Sequence, residues 1–275
     1  METIITASIV LFNNDLKSLD ILLKSLSDKV SSNFVVYLID NSTTDFLSQL
    51  SLINYLNVKY IYNSKNLGFG SGHNIALKNA IEINSKYHFI INPDIILSED
   101  VITRMVNYLD VHKDVGMMMP KILNFDGTIQ YLPKLLPSPL GIIFRKIKWP
   151  NKYFLKFINK YELRNVPTNT IYNAPVISGC FTLLRIQAVI EVGGYDDKFF
   201  MYFEDWDMSR RMHQRYMTIY YPNASVYHGY ESGANKSFKL FKIFIKSAIH
   251  YFNKWGWCFD KDRKHINLFT LRQFK

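Results

Sequence analysis

The alternation of the first 120 residues narrows the fold more than any other feature of this sequence. Four short runs rich in β-branched and aromatic residues, Thr6–Phe12, Phe34–Ile39, Val58–Tyr62 and His88–Ile91, are interleaved with helix-patterned stretches at 15–28, 45–55 and 72–84. A continuous apolar run has no polar face to turn toward water, so a strand of this kind must be covered on both sides. Strands alternating with helices therefore predict an α/β architecture, a mostly parallel sheet flanked by helices. Ligands of such sheets bind in the crevice beyond the carboxyl ends of the strands. Here those ends are polar: Asn13-Asn14-Asp15, Asp40-Asn41-Ser42, the loop from Asn63 to Asn74, and Asn92-Pro93-Asp94. Asp15 stands where it would cap the following helix.

Beyond residue 120 the pattern changes. The stretch 131–160 gathers Pro133, Pro137, Pro139 and Pro150 with basic and aromatic side chains, and reads as a mobile or accessory segment outside the sheet. Apolar patterning resumes at Ala174–Arg185, and strands are again expected at Thr218–Tyr221 and Val226–His228. The net charge of +10 is unevenly spread. Residues 121–172 hold 9 basic and 2 acidic side chains and residues 236–275 hold 10 and 2, whereas 1–120 and 173–235 are both mildly acidic. Two basic blocks flanking an acidic core call for a polyanionic surface as partner. Nucleic acid is not expected, because the acids cluster where a phosphate backbone would pass and no binding motif is present.

Two cysteines, Cys180 and Cys258, make neither a disulfide framework nor a zinc site, which points to a reducing compartment. The apolar run after Glu2 lacks a basic leader and a cleavage site, so it reads as a buried strand. No stretch is long and apolar enough to span a bilayer. A cytoplasmic protein is expected, peripheral on the inner face of the membrane. The attachment would come from 236–254, where Phe238, Phe241, Ile245, Ile249 and Phe252 form an apolar stripe beside Lys239, Lys242 and Lys246. The alternative is a helix docked on the core with a solvated lysine face.

Several residues carry candidate chemistry, each with a plain structural alternative. Asp40 is placed to bind a base or cap a helix. Gly68-x-Gly70-x-Gly72 offers bare backbone to a phosphate or simply a tight turn. Asp94 suits a hard cation or a turn. Glu204, Asp205 and Asp207 begin a helix, where acids are favoured by the dipole in any case.

Taken in order, these elements, the run Gly193-Gly194-Tyr195-Asp196-Asp197 and the acidic helix through Arg211 resemble glycosyltransferase family 2, in its rhamnosyltransferase-like branch. The resemblance covers residues 3–235. It implies a GT-A-type, Rossmann-like domain at 1–235, with 131–172 as a basic accessory segment on the acceptor side and 236–275 as a basic helical tail. It implies that Asp205 is the general base, with Glu204, Trp206 and Asp207 at the acceptor. Asn13, Asp40, Lys65, Asn66, Gly68, Asn74, Asn92 and Asp94 would face the nucleotide sugar. Asp94 and His228 would hold Mg2+ or Mn2+. Asn92 departs from the pattern by standing where many relatives carry the first acid of an Asp-x-Asp pair, and an amide is the poorer ligand for a hard cation.

The implied reaction is inverting transfer of a hexose, L-rhamnose from dTDP-L-rhamnose, to a lipid-linked saccharide of a bacterial surface polysaccharide. The alternatives are another UDP- or dTDP-hexose donor, or a non-catalytic nucleotide-sugar or glycan-binding module. A dinucleotide oxidoreductase is disfavoured because Asn13-Asn14-Asp15 has no glycine. Oligomeric state is not encoded in any feature of the chain.

Overall fold

The structure is a computed structural model that describes residues 4–30, 33–45, 57–229 and 237–275. The first half follows the expected alternation: β1 (Ile5–Leu11), α1 (Leu16–Ser27), β2 (Phe34–Asp40), β3 (Asn57–Tyr62), α2 (Phe69–Glu82) and β4 (Tyr87–Ile91). The helix expected at 45–55 falls, but for Asp45, outside the described residues. The chain continues as β5 (Ile95–Ile96), α3 (Val101–Val111), β6 (Val115–Leu123), α4 (Pro139–Ile147), α5 (Asn151–Tyr161), β7 (Tyr172–Asn173) and β8 (Phe181–Arg185). It closes with α6 (Ile186–Val192), α7 (Glu204–His213), β9 (Met217–His228), α8 (Phe238–Trp255) and α9 (Lys261–Arg272).

Local chemistry explains the early elements. Asp15 caps α1 by accepting from the Ser18 amide at 3.2 Å, and Leu19, Leu22, Leu23 and Leu26 bury one face of the helix against the sheet. Every residue of β2 is buried, as a doubly covered strand requires. Beneath the sheet Ser8 Oγ bridges His73 Nδ1 and His88 Nε2, each at 2.7 Å, while His88 Nδ1 meets Thr6 Oγ1 at 2.7 Å. Burial pushes the His88 imidazole down to about 3, so this chain is neutral and ties β1 to β4 and α2.

The strands lie in the order β3-β2-β1-β4-β8-β6-β9-β5, with β7 beside β9. The parallel expectation holds for β1 to β4 and for the pair β6 and β9. It fails in the middle, where β8 runs antiparallel to both β4 and β6. The reversal has a functional consequence: the segment leading into β8, not the one leaving it, lies at the carboxyl end of β4. The Asn92 amide accordingly donates to Cys180 O at 2.8 Å. β6 was not expected from the sequence. Its Val-Gly-Met-Met-Met-Pro run weakens the strand signal, and its register against β9 shifts at Pro120, which cannot donate to the ladder.

One further expectation needs correction. The stretch 131–160 is ordered: α4 starts on a Ser138 cap, Ile158 and Tyr161 are buried, and the Lys134 and Leu135 amides donate to Val176 O and Tyr161 O. For residues 237–275, read as a basic helical tail that either lies in a membrane interface or docks on the core, part of α8 is docked. Ala248, Tyr251 and Phe252 of α8 pack with Ile142, Phe199 and Phe203. Ahead of α9, Asp260 forms a fork with Arg210 at 2.7 and 2.8 Å, with both side chains almost fully buried. Arg210 also lies 4.3 Å over the Trp255 ring. Removing one partner of a buried pair leaves an uncompensated charge. Asp260→Ala should therefore lower unfolding free energy by about 3–5 kcal/mol in urea denaturation; a loss under about 1 kcal/mol would mean that the C-terminal helices contribute little to the fold.

Candidate active site

The cleft lies on the carboxyl-end side of β1 and β4, bounded by α1, α4 and the start of α7, with a volume of about 1520 Å³. The turn that delivers α7 to it is strained. Tyr202 and Phe203 both adopt left-handed backbone, with φ of 69° and 68°, a region that bulky side chains avoid. Such residues cost of order 1–3 kcal/mol each and persist only where their surroundings hold them. Here the Phe203 ring is held 4.6 Å from Trp206, 5.2 Å from Phe244 and 5.5 Å from Tyr251, the last two on α8. The turn places Glu204 and Asp205 at the cleft floor.

The two acids differ in environment. Asp205 Oδ1 accepts from the Trp206 amide at 2.9 Å and Oδ2 from the Gly179 amide at 3.4 Å. Burial pushes its carboxyl up to about 6, with the Lys134 ammonium and these amides pulling the other way. Burial, and then the charge of Asp205, hold Glu204 well above the carboxylate range. Burial thus raises both acids, and for Asp205 a neighbouring cation and two amides oppose the rise. Lys134 was not singled out from the sequence. It lines the same cleft, is buried, and donates to Leu132 O at 2.9 Å. Burial brings its ammonium down to about 8, Arg145 adding to the effect and Glu162 and Asp205 opposing it.

On the opposite wall, Asp94 follows β4 and His228 ends β9. Asp94 Oδ1 is 3.4 Å from His228 Nε2, and Asn92 Nδ2 is 3.3 Å from the same nitrogen. Gln130 sets the tautomer: its Oε1 sits 3.0 Å from His228 Nδ1, while its Nε2 donates to His228 O and Asn124 Oδ1. An Nδ1–H donated to Gln130 leaves Nε2 as an acceptor facing Asn92 Nδ2, with Asp94 Oδ1 beside it, the arrangement of a ligating histidine with its orienting partner. One carboxylate and one imidazole fit a divalent cation whose remaining ligands come from a diphosphate and water. Among the described residues no group of three or more His, Cys, Asp or Glu side chains is assembled for a metal. Gln130, like Lys134, was missed because an isolated Gln carries no pattern.

Of the expected site residues, Asn13, Asn92, Asp94, Glu204, Asp205, Trp206 and His228 line this cleft. Others do not. Asp207 is fully buried and held by Arg211 Nε, Trp255 Nε1 and Lys254 Nζ, each at 2.8 Å, so it ties α7 to α8. Asn74 Nδ2 donates to Tyr195 O and Asp197 Oδ1, joining α2 to the 193–197 loop. Gly68 (φ 88°) packs so closely that a Cβ would lie 2.1 Å from Phe200 O, so packing alone accounts for the glycine. Asn66 Oδ1 accepts from the Gly68 amide, and Lys65 is an exposed residue of the same loop. Asp40 is buried at the end of β2, with Oδ1 accepting from the Ser42 amide and Oδ2 from Tyr60, each at 2.8 Å. It reaches the cleft only indirectly, through Ser42 Oγ and the Asn13 amide at 2.9 Å.

Fold and cleft define the GT-A class of glycosyltransferase. The chain belongs to glycosyltransferase family 2, whose description "Glycosyl transferase family 2" matches residues 6–193. It is similar to the N-acetylglucosaminyl-diphospho-decaprenol L-rhamnosyltransferase of Mycobacterium tuberculosis (strain ATCC 25618 / H37Rv), 26% identical over 225 residues that span 75% of this chain and 70% of the relative. Rhamnosyltransferase WbbL of Escherichia coli (strain K12) is 26% identical over 221 residues, 77% of this chain and 79% of the relative. Among solved structures, GalNAc-T7 with UDP, GalNAc and Mn2+ superposes with a TM-score of 0.62 at 16% identity, over 84% of this chain and 44% of that one. The mannosyltransferase PcManGT from Pyrobaculum calidifontis, in complex with GDP-Man and Mn2+, gives 0.56 at 12% identity, over 83% and 57%. This chain spans less than two thirds of either solved protein, and at these identities the likeness concerns the fold.

The acid pair yields a titration. A carboxyl-carbon NMR titration should find Asp205 losing its proton near pH 6, because its folded value is raised. Lys134→Met removes the cation that opposes the rise, so the midpoint should move upward by roughly one pH unit. An unchanged midpoint would show that Lys134 does not act on Asp205.

Proposed function

We propose that the protein is an inverting glycosyltransferase that moves a hexose from a nucleoside-diphosphate sugar to a hydroxyl of a lipid-linked saccharide in bacterial surface-polysaccharide synthesis. The observation that carries the reading is a single cleft lined both by a part-buried carboxylate, Asp205, and by the Asp94 and His228 pair. In this reading Asp205 takes the proton from the acceptor hydroxyl as that oxygen attacks the anomeric carbon, on the face opposite the leaving diphosphate. Displacement in one step inverts the configuration. Glu204, kept protonated, is available to hold an acceptor oxygen as donor, and Trp206 forms an apolar wall.

Asp94 and His228 would hold Mg2+ or Mn2+, with Asn92 beside them. When bound, such a cation offsets the charge developing on the diphosphate. The donor side of the cleft would be Asn13 together with Asn92 and Asp94. Asp40, Lys65, Asn66 and Asn74 shape the loops behind it. We take the donor to be dTDP-L-rhamnose, because two relatives carry rhamnosyltransferase names, one of them acting on a diphospho-decaprenol-linked sugar. The lipid-linked acceptor puts the enzyme at a membrane, peripheral on its cytoplasmic face; no described helix is long and apolar enough to cross one.

The test is calorimetric binding of dTDP-L-rhamnose and a panel of UDP- and dTDP-hexoses, each with and without Mn2+. Metal-strengthened binding of one of them is expected, and binding of none would overturn the reading. Asp205→Asn should lower turnover by about 10²–10⁴-fold while donor affinity stays within a factor of two to three; a variant that still turns over would remove Asp205 as the base. Gln130→Leu should weaken Mn2+ binding by about 10–100-fold, since His228 loses its orienting partner. Unchanged Mn2+ affinity would place the metal elsewhere.

A further inference from the structure

The exposed apolar surface is concentrated on two neighbouring helices. On α8 the stripe expected from the sequence divides: Phe252 turns into the core, whereas Phe238, Phe241, Ile245 and Ile249 stay exposed and line a shallow groove with Lys242 and Lys246. On α4, Leu140, Ile143 and Ile147 recur at helical spacing on the face opposite buried Ile142, and all three are exposed, followed by Trp149 at 73% exposure. The two helices meet where Lys146 Nζ lies 4.8 Å from the Phe244 ring centroid and 5.8 Å from that of Phe241. An apolar exposure of this extent on one side of a molecule marks an interaction surface.

Its charge selects the occupant. Residues 139–161 carry Arg145 and five lysines, residues 238–255 carry four lysines, and neither stretch contains an Asp or Glu. A second copy of the chain on this face would set like charges opposite one another, which is costly. An anionic bilayer satisfies both features, with apolar side chains entering the headgroup boundary and lysine heads reaching the phosphates. The position of the cleft adds a third point: Ile142, Arg145, Lys146, Lys148 and Phe244 line it as well, so its mouth opens beside this face.

We infer that α4 and α8 together form a bilayer-docking face that sets the mouth of the cleft against the headgroups of an anionic membrane. Helix α8 alone is half of the device. The inference deepens the reading of a membrane-anchored acceptor, and its test needs neither donor nor turnover, so each can fail without the other. Vesicles of phosphatidylcholine with 30% phosphatidylglycerol are the probe, against pure phosphatidylcholine, in co-sedimentation. The full chain should bind the anionic vesicles and lose affinity about fivefold for each of Lys146→Gln and Lys242→Gln. Ile143→Asp with Ile147→Asp, both at exposed positions, should lower binding at least tenfold with melting temperature unchanged. In the unsubstituted protein, lipids brominated near the glycerol should quench Trp149, a loss of signal that Trp149→Phe abolishes. Full binding by the α4 double variant, or an unquenched Trp149, would overturn the role of α4. Absence of vesicle binding together with a concentration-dependent dimer in sedimentation would make the face a self-association surface instead.

Discussion

The ring of Phe203 wedged among Trp206, Phe244 and Tyr251 is the contact on which the cleft depends. It holds two consecutive left-handed residues in place, and those residues aim Glu204 and Asp205 at the cleft floor. Two of the three partners come from α8, so the catalytic acid of the proposed mechanism is positioned by the last quarter of the chain. The Asp207 and Arg210 side chains reinforce the same junction, one through Trp255 and Lys254, the other through Asp260. What reads in sequence as an appended basic tail is a buttress.

The reversed strand β8 makes the second contribution. A fully parallel sheet would send its next connection away from the β4 end. Because β8 is antiparallel, Ser178, Gly179 and Cys180 come in at that end, and Gly179 supplies an amide to Asp205 while Cys180 anchors Asn92. The two walls of the cleft are therefore joined through one short segment. Burial does the electrostatic work there: it raises both acids, and the Lys134 ammonium opposes that rise on Asp205.

The sequence made β1 to β4 legible because each is a short run rich in β-branched and aromatic residues ended by polar ones. The residues it flags at strand or helix ends, Asp94, His228 and Asp205, line one cleft. It misled where a residue's neighbours come from afar. Asp207 lies two residues from Asp205, which on a helix turns it to the other side, where Trp255 meets it from α8. Gly68 and Asn74 carry the pattern of a ligand loop but serve packing against Phe200 and Tyr195. Strand β6 was hidden by methionines and Pro120, and α4 by the prolines around it. Gln130 and Lys134 became visible only once β9 and the cleft had been placed beside them.

Position 203 is also closed to gradual change. A glycine there would relieve the left-handed backbone but remove the ring that seats the turn; any other side chain would keep the strain and fit the cleft of aromatics less well. Either direction of a single substitution costs stability. The residue is held in place by two unrelated penalties, and the α8 aromatics facing it are free to drift only in concert with it.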